Sequence, residues 1–199
     1  MPLQDYLPLM LFVIVSTVTP GGATTLATAS GAHFGYRRSL PMMAGIAVGL
    51  ASMAAAAAAG LGSVLLALPA LQLGMKVLGS LYLLWLATRI ARGGKPGVDA
   101  VVHRPQGFVS GVWMLWHNPK GWAMTLGAAA SFASLASGPV RLGVLIGLAF
   151  GVAAMASLSL WCCAGLLFAR VLRTERQWRC VNAGLGILLA ASIVPMWLQ

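Results

Sequence analysis

Thr19-Pro20-Gly21-Gly22 and Asn118-Pro119-Lys120-Gly121 are two proline-containing tetrapeptides, each lying inside a long apolar stretch of the chain. Proline removes a backbone donor and clashes with the preceding turn, so it interrupts a helix. Threonine or asparagine followed by proline is also the N-cap and N1 pattern of a helix start. We therefore predict two membrane helices that are each broken into two half-helices, one at Pro20 and one at Pro119.

The composition is that of a helical membrane protein. Of the 199 residues, 59% are hydrophobic and 8% are charged, and the mean hydropathy is +0.87. Charged residues separate six apolar stretches, each near the roughly 20 residues that a helix needs to cross about 30 Å of hydrocarbon. We predict an all-α integral membrane protein, one domain of residues 1–199, with spans at about 5–30, 41–68, 71–91, 107–132, 139–169 and 180–198.

The basic residues predict the orientation of the chain. The formal net charge is +10, and ten of the thirteen basic residues fall in or beside alternate loops. They are Arg37, Arg38, Arg89, Arg92, Lys95, Arg104, Arg170, Arg173, Arg176 and Arg179. The positive-inside rule then makes loops 1–2, 3–4 and 5–6 cytoplasmic and leaves both termini outside. The charge is thus a topology signal, and we predict no nucleic-acid partner.

Residue types that build metal sites and enzyme active sites are few. The histidines are His33, His103 and His117, and the acids are Asp5, Asp99 and Glu175, which lie near span ends or in loops. No predicted span offers a cluster of metal ligands. An enzyme would need a nucleophile or an acid–base pair near a break, where only His117 qualifies. We predict no metal, no cofactor and no enzymatic activity.

The two halves of the chain share a spacing. Pro20 and Pro41 are 21 positions apart, and Pro119 and Pro139 are 20 apart. The pattern P-x3-G-x3-G follows at Pro41-Gly45-Gly49 and again at Pro139-Gly143-Gly147. Three spans in each half would reverse the second half in the membrane. We predict two inverted repeats, about 1–92 and 107–199, in which Pro41 and Pro139 stand at the start of the second helix.

Lys120 lies beside the second break, too deep in its predicted span to reach either membrane surface easily. A charge at that depth indicates a functional site. The alternative is a structural bridge in which the ammonium binds backbone carbonyls freed at Pro20. Two helix N-termini and one lysine suit an anion or a carboxylate. The predicted binding residues are Thr19, Pro20, Gly21, Gly22, His117, Asn118, Pro119, Lys120 and Trp122.

The rest of the predicted site favours neutral, zwitterionic solutes. No carboxylate lies deep in any predicted span, so a cationic side chain of the solute would lack a counter-charge. The ammonium group of a zwitterion would bind the carbonyls that end the first half-helices, at 15–18 and 114–117, or the face of a tryptophan.

An ordered set of motifs resembles the LysE/RhtB family of amino-acid exporters. The residues are Thr19-Pro20-Gly21, Ser30-Gly31, Gly35, Arg37-Arg38, Pro41, Gly45, Leu78-Gly79, Tyr82-Leu83-Leu84-Trp85-Leu86 and Asn118-Pro119-Lys120. The resemblance covers nearly the whole chain and implies a six-helix, multi-pass protein of the bacterial inner membrane that exports amino acids or their derivatives. It also implies antiport driven by the proton motive force, with the proton as coupling ion, and leaves a homodimer open. The family's first motif usually reads Thr-Pro-Gly-Pro-Asn, whereas Gly22-Ala23 replaces its last two residues here, which puts the substrate identity in question.

Two alternatives to a secondary transporter of amino acids stay open from the sequence. One is an exporter of another small anion or a metal ion; Lys120 suits an anion, and the scarcity of ligands disfavours a metal. The other is a membrane enzyme or a non-transport scaffold. A scaffold has no need of two breaks and a buried lysine, so export is the leading prediction.

Overall fold

The computed structural model describes residues 3–61, 68–92, 105–191 and 193–194, and the regular structure within these ranges is entirely helical. The helices are α1 Leu7–Val18, α2 Gly22–Phe34, α3 Tyr36–Ala56, α4 Pro69–Ala91, α5 Phe108–Trp116, α6 Pro119–Ser131, α7 Pro139–Val171 and α8 Glu175–Ala191. A π-helical segment, Ala57–Leu61, follows α3. Lys95, Asp99, His103 and Arg104, which figured in the predictions of loops and ligands, lie outside the described residues.

Two of the described helices are long and apolar enough to cross a membrane, Tyr36–Gly60 and Pro139–Val171. α1 and α2 pass the same test as a pair, although a bend of 55° separates them. The described residues therefore contain two candidate spans, or three if the bent pair is one broken span. These helices fit a membrane protein, and the arrangement of six spans stays a prediction.

α3 begins earlier than its proline pattern predicted. It starts at Tyr36, directly after Gly35, whose φ of 80° favours glycine, and Pro41 lies inside it. The prediction that Pro41 stands at the start of this helix is therefore wrong by about one turn. Only the opening turn of α3 precedes Pro41, so the hydrogen bond that the proline removes is one at the start of the helix. Pro139 begins α7, as predicted.

α3 and α7 form the central pair of the fold and run antiparallel. Their shared surface is built from small residues: Gly143 lies against Ala55, Gly147 against Ala51, and Gly151 against Ala51 and Ala47. Numbers rise along one helix as they fall along the other, which gives the antiparallel direction. Small residues let helix backbones approach closely, which is how membrane helices associate. Glycines of the repeated pattern thus build this helix contact.

α2 and α7 also meet through glycines. Gly31 of α2 lies against the carbonyl group of Cys162, and Gly165 of α7 lies against the carbonyl group of Thr28. A Cβ atom added to either glycine would overlap the oxygen of the facing helix. The contact is therefore reciprocal, and each helix supplies both a glycine and a carbonyl.

α3 and α5 repeat this arrangement. Gly45 of α3 lies against the carbonyl group of Phe108, and Gly111 of α5 lies against that of Met42. Both glycine contacts, of α2 with α7 and of α3 with α5, fall at the end of the molecule where α2 turns into α3, α5 begins and α7 finishes. We call this end the α2–α3 end. Thus two of its helix pairs are in backbone contact.

Candidate functional site

The first break separates α1 from α2 over residues 19–21. Thr19 leaves the helical region, with φ −56° and ψ 128°, because a following proline disfavours helical backbone. Gly21 is extended, and α2 begins at Gly22. The prediction that Thr19 and Pro20 form the N-cap and N1 of the second half-helix is wrong. The Thr19 hydroxyl instead donates back to the carbonyl oxygen of Val15, at 2.6 Å.

The second break is shorter and matches its prediction. Asn118 has φ −91° and ψ 107°, and α6 begins at Pro119 directly after it. The side-chain oxygen of Asn118 accepts from the N–H of Lys120 at 3.0 Å, which makes Asn118 the N-cap. The two half-helix starts therefore differ. α6 is capped by a side chain, whereas α2 starts from a glycine that has none.

The capping role of Asn118 gives a first test. We expect Asn118→Ala to lower the stability of the protein by about 0.5–2 kcal/mol, because an N–H at the start of α6 loses its acceptor. Asn118→Ser, whose hydroxyl can cap a helix, should recover part of the loss. The measurement is the temperature at which half of the purified protein leaves the monodisperse state in detergent. Equal temperatures for the alanine variant and the wild type would contradict the capping role.

Lys120 connects the two breaks. Its ammonium nitrogen donates to the carbonyl oxygen of Thr19 at 3.2 Å, across 101 positions of sequence. A Cβ atom on Gly21 would lie 3.2 Å from that nitrogen and 3.6 Å from Cδ of the lysine, so glycine leaves the room that the side chain occupies. The structural bridge that the sequence left open is therefore present. An ammonium has three donors, and the bond to Thr19 uses one of them.

A cavity of about 50 Å³ lies between the breaks. This is several times the roughly 10–15 Å³ that a single buried water requires. Its polar lining is Ser16, Thr17, Thr19, Thr24, Asn118 and Lys120. Its apolar lining is Ile46, Leu50, Leu115, Met124, Ala154 and Leu158. The cavity thus has a polar part at the two breaks and an aliphatic part supplied by α3, α5, α6 and α7.

The structure brings most of the predicted binding residues to this cavity. Thr19, Gly21, Gly22, Asn118 and Lys120 all line it. Pro20 and Pro119 lie at the breaks themselves and determine where the half-helices begin and end.

Two predicted residues lie elsewhere: among the described residues that line the cavity, neither His117 nor Trp122 occurs. His117 places Nδ1 2.9 Å from the carbonyl oxygen of Trp113, and the two rings are 4.0 Å apart. Trp122 is buried and donates its indole N–H to the carbonyl oxygen of Trp116 at 2.9 Å. Both side chains therefore stabilise the second break from outside the cavity.

Ser16 lies in the range 15–18, whose carbonyl groups were predicted to bind an ammonium group, whereas the aliphatic lining was not predicted. A signal for Ser16 exists in the sequence, because it stands four residues before Pro20 and so loses the helical partner of its carbonyl group. No comparable signal marks Ile46, Leu50 or Leu158, since only the packing of α3 and α7 brings them to the breaks.

Comparison with known proteins identifies the chain's family. The LysE type translocator family matches residues 14–192, which include both breaks and the cavity. Over 187 residues the chain is 30% identical to the cysteine/O-acetylserine efflux protein of Klebsiella pneumoniae subsp. pneumoniae, covering 93% of this chain and 94% of that protein. No solved structure matches the chain. The chain belongs to the LysE type translocator family and is a multi-pass membrane transporter, not an enzyme.

Proposed function

We propose that the protein exports small zwitterionic amino acids or their derivatives from the cytoplasm, with the carboxylate bound between the two breaks. The observation that carries the proposal is the position of Lys120. From the start of α6, at the second break, its ammonium reaches the first break. Among the described residues that line the cavity, Lys120 supplies a full positive charge and no acid balances it. An anionic group is the natural complement.

The donors around the Lys120 ammonium suit a carboxylate. The first N–H groups of α2, at Gly22 and Ala23, have no acceptor within their own helix, and both residues line the cavity. The N–H of Gly21 is already bonded to the hydroxyl oxygen of Thr24, at 2.8 Å. The positive end of the α2 dipole adds to the attraction. At α6, by contrast, Asn118 already accepts the N–H of Lys120, so we assign the carboxylate to the α2 start.

The comparisons support amino-acid export at a coarser level. The family is one of translocators, and the relative is named for the efflux of cysteine and O-acetylserine, both of which carry one carboxylate and one ammonium. An exporter of inorganic anions remains the alternative, because a lysine and a helix N-terminus would also bind a simple anion.

The proposed architecture is six spans in two inverted repeats, in the inner membrane, with both termini outside. The antiparallel contact of α3 and α7 supports it, because the second helices of two inverted halves run in opposite directions. Coupling to protons by antiport, and assembly as a homodimer, follow from the family resemblance alone.

An efflux panel tests the proposed function. Cells that express the protein are loaded with amino acids and dipeptides and then washed, and the appearance of each solute outside is followed by mass spectrometry. We expect faster efflux of at least one zwitterionic amino acid than in cells with an empty vector. An uncoupler should remove the difference if protons drive export. Unchanged profiles for every amino acid, together with faster efflux of sulfate or phosphate, would overturn the proposal in favour of the anion exporter.

A further inference from the structure

Almost all the carbonyl groups at the end of α1 have a donor, either from the last turn of the helix or from side chains of other helices. The carbonyl oxygen of Val15 accepts from the N–H of Thr19 at 3.1 Å, that of Thr17 from the Ser157 hydroxyl at 2.8 Å, that of Val18 from the Trp161 indole at 3.2 Å, and that of Thr19 from Lys120 at 3.2 Å. Four of the five carbonyl groups from position 15 to 19 are therefore satisfied.

Ser16 is the exception. Its carbonyl oxygen would ordinarily accept from the N–H four residues later, but that residue is Pro20, which has no N–H. No donor from the described residues contacts this oxygen. Helix carbonyls point toward the C-terminal end of their helix, which for α1 is the break, and Ser16 lines the cavity there. Ser16 is half-buried, and a backbone acceptor withdrawn from water almost always has a partner, whether a protein group, an ordered water or a bound solute.

The second break has no equivalent acceptor at its proline. Pro119 removes the helical partner of the Leu115 carbonyl group, but the N–H of Asn118 replaces it at 2.9 Å. The next carbonyl group, that of Trp116, accepts from the indole of Trp122. The open acceptor created by a proline therefore lies at the first break, close to the donors that suit a carboxylate.

The hydroxyl groups of the cavity offer acceptors but no donors. Each gives its proton to a backbone carbonyl group nearby in the chain: Ser16 to Phe12 at 2.6 Å, Thr17 to Val13 at 2.8 Å, Thr19 to Val15 at 2.6 Å and Thr24 to Gly21 at 3.0 Å. A polar side chain of the solute that lies against the rest of the wall would lose its water without gaining a hydrogen bond there. The remaining wall, with Ile46, Leu50 and Leu158 all buried, is aliphatic.

We propose that the Ser16 carbonyl oxygen binds the α-ammonium of the substrate and that the aliphatic lining binds its side chain. The substrate class is then α-amino acids with a free α-ammonium and a small apolar side chain. The small cavity, of about 50 Å³, favours a short side chain. This assignment rests on the proposed function, because it takes the amino-acid carboxylate to lie at Lys120 and the start of α2.

Substrate analogues test both halves of the assignment. Proteoliposomes that contain the wild-type protein are loaded with radiolabelled α-aminobutyrate. The measurement is how strongly each unlabelled competitor slows the transport of the label. We expect α-hydroxybutyrate and N-acetyl-α-aminobutyrate to compete about 10- to 100-fold more weakly than α-aminobutyrate, because each lacks the charged donor for Ser16. Serine, with a hydroxyl in place of the terminal methyl, should also compete more weakly. Equal competition by the hydroxy acid would overturn the ammonium site, and equal competition by serine would overturn the apolar site.

Two matched proline variants test the role of the Ser16 carbonyl group. Pro20→Ala supplies the missing N–H, so discrimination between α-aminobutyrate and α-hydroxybutyrate should fall toward equality. Pro119→Ala should keep the wild-type ratio, because the Leu115 carbonyl group already has a donor. The readout is a ratio, so a change in the amount of active protein does not affect it. Full discrimination by Pro20→Ala would overturn the inference while leaving amino-acid export, measured separately in cells, intact; a flat efflux panel would instead refute the proposed function.

Discussion

Lys120→Met is expected to weaken amino-acid export strongly, through a lower apparent affinity for the exported solute, while the protein remains folded and in the membrane. The substitution keeps a long unbranched side chain but removes the positive charge of the cavity and its bond to the Thr19 carbonyl group. A hydrogen bond to a charged group contributes about 1.5–3 kcal/mol, which corresponds to a loss of about 10- to 100-fold in apparent affinity. The measurement is efflux of the best-exported amino acid from preloaded vesicles over a range of concentrations.

Controls separate the loss of this charge from other effects. Arg141→Met also removes one positive charge, but Arg141 is exposed at the start of α7 and bonds only to Ser137 in the hydrogen bonds described for it, so export should continue. Lys120→Arg should impair export, because the wider guanidinium must fit where the ammonium already lies beside Gly21. Wild-type export by Lys120→Met would remove Lys120 from the site.

Carboxylate binding and bridging by Lys120 predict different selectivities. If the ammonium binds the carboxylate, wild-type protein should discriminate against the amide of its substrate, and Lys120→Met should lose this discrimination along with its rate. If the lysine only joins the breaks, residual export by the variant should keep the wild-type preference for the acid over the amide. Competition by the amide in proteoliposomes therefore decides between the two roles.

Gly165→Ala is expected to be among the most destabilising single-methyl additions in this chain. The new Cβ would overlap the carbonyl oxygen of Thr28, so α2 and α7 must move apart. Overpacking of this kind costs about 1–3 kcal/mol. We expect a lower unfolding temperature in detergent and less protein in the membrane fraction.

Gly184→Ala is the matched control for this substitution. Gly184 also lies within a helix, but a Cβ there would meet no atom within 4 Å. Because alanine is a better helix former than glycine by about 1 kcal/mol, the control should be neutral or stabilising. If Gly165→Ala unfolded at the same temperature as Gly184→Ala, the close contact of α2 with α7 would be refuted.

The breaks could be predicted from the sequence because proline acts on its own turn of backbone. Their detail could not be predicted equally well. Thr19 looked like an N-cap, but its hydroxyl has a local alternative in the Val15 carbonyl group, and the extended Gly21 moves the start of α2 to Gly22. At Asn118 no such competition occurs, and the predicted cap is present.

Contacts between distant parts of the chain could not be predicted from the sequence, for a different reason. The spacing of Gly45 and Gly49 revealed a repeat, but a glycine does not specify which carbonyl group will face it. Lys120 could be predicted as a site residue because burying a charge in a membrane helix costs free energy. The aliphatic side chains of Ile46 and Leu158 are of the same type as those on most membrane helices, so nothing in the sequence marks them. Their place at the cavity depends on how α3 and α7 cross, which is a property of the folded chain.

The glycine contacts at the α2–α3 end also affect how that end can move. Where two helices meet backbone to backbone, no side chain is inserted between the residues of the partner helix. The surfaces can then part and rejoin without any rotamer change, and two such contacts, of α2 with α7 and of α3 with α5, lie at the α2–α3 end. Helices at this end of the protein would therefore separate without withdrawing an interlocked side chain at these glycines.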